Sequence, residues 1–310
     1  MRVATALVLA AVFVGPAAAS DLLDLNATDV QLRVNGKTAL VEYRANGRER
    51  HVLVWGAINA RSPNEDRRQV RFKRDYSGGL ATQHRFVWKR FVDQCQPYDG
   101  PPLAYLLTAC KAPDGSYWAL QSWQRNLPHR GWEPWTDWQQ AWELRLSHWT
   151  GDLAEVELYA DWAFHGDAHG IFGRAIYAGF PVHGFHTTSS GNPVDGYGRN
   201  LYIDTYDSAY GPGWKRETSI LFRKSSGAFC YSFWPTHDAS LPGRPARPEG
   251  HGKRYRISVV GPGVTPDVTA EADGLPDFDV RNPDLVALER KMTVLFDEVI
   301  AGDKFCATQH

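Results

Sequence analysis

The chain has 310 residues, of which 43% are hydrophobic, 22% charged and 13% aromatic, and its formal net charge at pH 7 is −1. That balance excludes a disordered chain, which holds more charge and fewer aromatics. Past the N-terminus it also excludes a helical membrane protein, whose apolar runs reach ~18 residues or more. Four cysteines, aperiodic glycines and the lack of a lasting heptad exclude disulfide-dense miniproteins, collagen and coiled coils.

Residues 1–19 read as a secretory signal. Arg2 supplies the positive start, Ala4 to Val14 the apolar core, and Ala17-Ala18-Ala19 the small-residue cleavage site, leaving Ser20 as the first mature residue. The expected location is therefore secreted or extracytoplasmic, with no transmembrane segment. An even set of cysteines suits an oxidising compartment, and the expected disulfides are Cys95–Cys110 and Cys230–Cys306. A four-thiolate zinc site lacks the CxxC spacing such sites use.

Period-2 alternation dominates the mature chain and predicts a mainly β, antiparallel sandwich-type architecture. Strands are expected at 30–34 and 39–44, with Asn35-Gly36 as a hairpin signal between them, and at 51–58 and 70–74. A short helix is expected within 84–92. The clearest hairpin joins 142–146 to the alternating run 155–164 across Thr150-Gly151-Asp152. Further strands are expected near 171–177, 181–187, 200–206, 217–223, 227–234 and 254–260. Pro- and Gly-rich residues 235–253 read as a loop or lid. One helix is expected over 283–301, opened by Asn282-Pro283-Asp284 and carrying Leu285, Leu288, Met292, Leu295, Phe296 and Val299 at helical spacing. Glycine becomes dense beyond 165, which divides the mature chain into a β-rich part, 20–165, and a sandwich-like part, 166–310, or leaves one domain.

Gly173, Gly179-Phe180-Pro181-Val182, Gly184, Asp195, Gly198-Arg199 and Tyr202 form a pattern of strand, tight turn and strand. Over 173–202 this resembles the carboxypeptidase-regulatory-like or transthyretin-like β-sandwich modules. The resemblance implies a non-catalytic sandwich module and carries no site residues.

Two clusters offer chemistry. Seven of the twelve Trp lie between Trp118 and Trp149, and Trp132, Trp135, Trp138 and Trp142 are spaced to align on one helix face. A row of indoles stacks on sugar rings, and Gln121, Gln124, Glu133, Asp137, Gln139 and Gln140 beside it suit sugar hydroxyls. The same indoles also suit a core. Four of the eleven His fall at His165, His169, His183 and His186. On an extended segment His165, Asp167 and His169 share a face, a ligand set for a divalent transition metal with His186 as a further ligand. The two glycines of His165-Gly166-Asp167-Ala168-His169-Gly170 favour a turn instead, which scatters those side chains.

Residues 31–90 carry 14 Lys/Arg against 5 Asp/Glu, a basic face suited to an anionic envelope polymer or to plain solvent. No nucleic-acid motif, nucleophile elbow, P-loop or dinucleotide fingerprint is present. The leading expectation is a secreted, non-catalytic protein that needs no cofactor and binds polysaccharide or a surface partner through its Trp-rich segment. The alternatives are a metal-dependent secreted hydrolase using the His/Asp cluster and a structural exoprotein.

Overall fold

A computed structural model describes residues 20–62, 67, 69–78, 87–125, 141–163, 166–182, 201–218, 226–233 and 250–301. The first half builds two facing sheets. Its elements are β1 (Asp21–Leu25), β2 (Thr28–Asn35), β3 (Thr38–Ala45), β4 (Arg48–Trp55), β5 (Lys73–Asp75), a single helical turn α1 (Val87–Arg90), β6 (Gln96–Pro97), β7 (Leu106–Lys111), β8 (Tyr117–Trp123) and β9 (Glu143–Trp149). One antiparallel sheet runs β2-β3-β4-β5 and the other β1-β9-β8-β7-β6. The hairpins of the first turn at Gly36 and at Asn46-Gly47, all three with positive φ, the backbone that two-residue hairpin turns require. Val34, Val41, Val52 and Val54 from one sheet meet Trp118, Leu120, Leu144 and Leu146 from the other. The expected Cys95–Cys110 disulfide is present and ties the start of β6 to β7.

The second half repeats the architecture and adds a helix. It contains β10 (Glu155–Ala163), β11 (Ala168–Tyr177), β12 (Phe180–Pro181), β13 (Leu201–Ser208), β14 (Gly211–Thr218), β15 (Ala228–Phe233), β16 (Arg254–Val259), β17 (Val268–Asp273) and α2 (Pro283–Val299). β11 is flanked by β10 on one side and by β15 and β12 on the other, and this sheet faces a second one ordered β14-β13-β16-β17. Leu158, Ile171, Phe229 and Phe233 pack against Ile203, Tyr255 and Ile257 between them. The outer face of the first sheet is covered by α2, where Phe172 and Cys230 meet Phe296, Val299 and Ile300. That helix starts as its sequence requires, with Asn282 accepting from the Asp284 N–H at 3.0 Å and Pro283 in its first turn. Cys230 is disulfide-bonded; Cys306, its expected partner, lies outside the described residues, as do residues 1–19. Among the described residues no helix is long and apolar enough to cross a membrane.

Gly173 shows why β11 needs a glycine in mid-strand. A Cβ there would stand 1.9 Å from the Glu157 carbonyl oxygen of β10 and 2.6 Å from Phe229 Cζ. Gly173→Ala is expected to destabilise the protein by about 1–3 kcal/mol, read as a lower urea midpoint at unchanged m value. An unchanged midpoint would show that the two strands can separate without penalty.

One expectation is corrected. The hairpin across Thr150-Gly151-Asp152 does not form: β9 pairs with β8 and β1, while β10 pairs with β11. Alternation reports which face of a strand is buried and leaves the partner open, and here the chain leaves one pair of sheets for the next. β10 and β11 flank 165 and pair with each other from Glu155↔Ile176 to Ala163↔Ala168.

The halves meet through buried charge as well as apolar contact. Trp123, Tyr202 and Val260 cluster there, with Tyr105 stacked on Trp123 at 4.8 Å. Asp267, in the loop between β16 and β17, is fully buried and accepts from Ser20 Oγ at 2.9 Å, Trp123 Nε1 at 2.9 Å, the Gly261 N–H at 3.1 Å and the Arg125 guanidinium. Arg145 pairs with Glu143 at 2.6 Å and donates to the Ser20 carbonyl at 2.8 Å. Beside this group Asp204 is clamped by Arg216 and Arg256, and Arg216 donates to the Arg125 carbonyl at 2.7 Å.

Candidate metal centre

The site is assembled by the register of two strand pairs. In the first sheet His169 of β11 stands between Trp162 of β10 and Phe233 of β15 as direct cross-strand partners. Side chains alternate along a strand, so His169 shares with Ile171 the face that looks toward the second sheet. In the second sheet the β16–β17 ladder begins at Arg254↔Asp273. The segment entering β16 and the segment leaving β17 therefore run side by side, joined by the Gly274 N–H donating to the Lys253 carbonyl at 2.7 Å. That places His251 and Asp277 near each other at the end of the sandwich.

The close approach depends on small residues and on one tryptophan. A Cβ on Gly250 would meet Glu217 Oε2 at 2.2 Å, and one on Gly252 the Tyr206 carbonyl at 2.8 Å. Trp162 Nε1 donates to the Pro276 carbonyl at 2.8 Å, and Phe278 packs on Trp162 with ring centroids 5.3 Å apart. The segment carrying Asp277 is thus folded back over the β10–β11 hairpin.

The resulting geometry brings three ligand groups together. The rings of His169 and His251 stack at 3.4 Å, and His169 Nε2 is 3.7 Å from Asp277 Oδ1. One ligand atom from each of the three residues lies within 4.8 Å of the others. Tetrahedral zinc, with bonds of about 2.0–2.1 Å to nitrogen, brings its ligand atoms to about 3.3 Å of one another, so the two stacked rings must turn out of their stack before both can bind one ion. His169 is buried and Asp277 is exposed, so one side of the group faces solvent. Burial, reinforced by the neighbouring His251, lowers the pKa of His169 to about 4, against a smaller opposing pull from Asp277. His169 is therefore neutral at ordinary pH, the form that binds a metal ion. Two imidazoles and one carboxylate leave positions open for water, as in catalytic rather than structural metal sites.

Of the two described residues in the metal-ligand set expected from the sequence, His169 belongs to this group and Asp167 does not. Asp167 lies exposed in the connection between β10 and β11, where Gly166 has φ +95°, so the extended face shared with His169 does not exist. His165, His183 and His186 lie outside the described residues. His251 and Asp277 escape a search by local spacing, because both are far from His169 in the chain. The one local signal is Gly250-His251-Gly252, a histidine between glycines at the end of the stretch expected to be a loop or lid.

The Trp-rich segment divides. Trp118, Trp123 and Trp149 are core, and Trp142, just before β9, is 51% exposed. Trp132, Trp135 and Trp138 lie outside the described residues. Compared with protein-family models, curated proteins and solved structures, the chain matches none.

Proposed function

We propose that this is an exported, metal-dependent hydrolase whose ion is held by His169, His251 and Asp277. The observation that carries the reading is the convergence of three ligand atoms from three distant segments to within 4.8 Å at a solvent-facing end of the sandwich. A divalent transition ion with an open position lowers the pKa of bound water and supplies hydroxide at neutral pH. Bound by His169, His251 and Asp277, such an ion would supply a water-derived nucleophile for hydrolysis of an acyl or phosphoryl bond. Export is supported by the signal-like residues 1–19 and by the Cys95–Cys110 disulfide, which persists in oxidising compartments.

Elemental analysis of protein purified without added chelator is expected to find one zinc-class ion per chain. His169→Ala and His251→Ala are each expected to weaken metal affinity by more than the roughly 10–100-fold that outer-shell changes cost. Zinc at a hundred times its Kd is expected to stabilise the wild type by about 2.7 kcal/mol and leave His169→Ala unmoved. A metal-free protein whose melting is indifferent to zinc and to chelator would sink this reading. It would leave the second one, recognition of polysaccharide or an anionic envelope polymer through the Trp-rich segment, for which half-exposed Trp142 is the specific support.

A further inference from the structure

His251 also lines a cleft of about 360 Å³, within the size range of small-molecule sites. His251 and Lys253 wall it from the segment entering β16, Leu275 and Pro276 from the segment leaving β17, and Asp207 from the end of β13. His251 thus belongs both to the metal group and to the cleft, and Pro276 precedes the ligand Asp277.

The charged side chains of this cleft form one ion pair, Lys253 with Asp207. The backbone of Lys253 is fixed on both sides, its N–H donating to the Tyr206 carbonyl at 2.9 Å and its carbonyl accepting from Gly274. Its ammonium lies 3.2 Å from Asp207 Oδ2, while Asp207 Oδ1 accepts from the Gly213 N–H at 2.8 Å. Asp207 is therefore itself held in place and steers the lysine. An ammonium has three N–H donors and Asp207 engages one, which leaves donors for an incoming anion. The Lys253 side chain is 75% exposed, so an anion reaches it without displacing the core. Leu275 and Pro276 contribute to the wall of the same cleft.

We propose that this cleft is the substrate site of the metal centre and that Lys253 selects small substrates carrying a second anionic group, carboxylate or phosphate, beside the bond that is cleaved. The inference rests on the reading of His169, His251 and Asp277 as metal ligands. Such a substrate would place its second anion at Lys253 and the bond to be cleaved on the His251 side of the cleft.

Calorimetric titration of the zinc-loaded protein with succinate, acetate and phosphonoacetate tests this without requiring turnover. Succinate is expected to bind at least about tenfold tighter than acetate, the worth of one charge-assisted hydrogen bond. Lys253→Gln is expected to erase that preference and Lys253→Arg to retain it, both melting like wild type because the side chain is exposed. Phosphonoacetate binding tighter than succinate assigns the second anion as phosphate, and the reverse order assigns it as carboxylate. Zinc-loaded wild type that does not distinguish succinate from acetate, or Lys253→Gln that keeps the preference, overturns the role of Lys253 and leaves the metal centre standing. Failure to take up zinc at all removes the metal reading, and this inference with it.

Discussion

Asp267→Asn is expected to lower the unfolding free energy by about 3–5 kcal/mol, the cost of removing one partner from a buried ion pair. The substitution keeps the shape of the side chain, deletes its charge and turns one acceptor oxygen into an NH2 that faces donors. Burial alone would push the Asp267 carboxyl up, but the guanidinium groups of Arg125 and Arg145 and the donors on Trp123 and Ser20 outweigh it and hold the pKa below the ordinary value. The carboxylate is thus ionised at neutral pH in a fully buried position, and Arg125, 4% exposed, depends on it. Without it, Glu143 remains as the carboxylate for two buried guanidinium groups. The damage falls where the two halves meet, because Ser20, Trp123 and Arg125 come from the first and Asp267 from the second. In urea denaturation Asp267→Asn/Arg125→Gln is expected to be less destabilised than the sum of the single variants, since the second change removes the stranded charge of the first. A loss under about 1 kcal/mol for Asp267→Asn, the level of an exposed pair, would mean that the network contributes no more than surface charges do.

How much of the fold and of the metal group was legible in the sequence depends on whether the signal was local. The Asn35-Gly36 turn, the run 155–164 and the N-cap of α2 are read from neighbours in the chain, and β2, β10 and α2 stand where they were expected. Asn46-Gly47 carries the same hairpin signal and closes β3 onto β4. β8 lacked a period to find: Trp118, Ala119, Leu120 and Gln121 are buried in succession, because β8 is covered on both faces. Such strands show an unbroken run in place of alternation. The supposed hairpin across 150–152 failed for the complementary reason, since two well-patterned strands joined by a good turn can still choose other partners. The metal group is the extreme case. His169, His251 and Asp277 meet only because β10–β11 and β16–β17 pair in particular registers, and no local spacing encodes that.

The other large effect is a pH dependence that one substitution uncovers. Asp161 sits on the α2-covered face of β10, among Phe172, Cys230 and Phe296, on the opposite side of the sheet from His169. Burial, with Glu289 of α2 adding to it and a hydrogen bond to Trp162 opposing it, raises its pKa to about 7. Below the ordinary carboxyl value both folded and unfolded chains hold the proton. As pH rises further the unfolded chain releases it first, so stability falls until the folded chain also ionises near 7. At about 1.4 kcal/mol per pH unit, the window from 3.8 to about 7 costs the folded state about 4 kcal/mol by pH 8. His148 acts in the other direction. It is buried against Trp118 with Nδ1 2.6 Å from the Ala57 carbonyl oxygen, and burial lowers its pKa from 6.5 to about 4. As pH falls through that window the unfolded chain gains a proton that the folded chain refuses, so stability falls toward acid by about 3 kcal/mol. His169, which burial also lowers to about 4, adds to His148, so three slopes act between pH 4 and 6.5, and wild-type stability is expected to rise there because the two histidines outweigh Asp161. Asp161→Asn removes one of them. The variant is expected to match wild type near pH 4, to gain stability as pH rises to 6.5, and to exceed wild type by about 4 kcal/mol at pH 8, measured by urea denaturation across the range. Equal differences between variant and wild type at pH 4 and pH 8 would show that Asp161 is not held protonated in the folded protein.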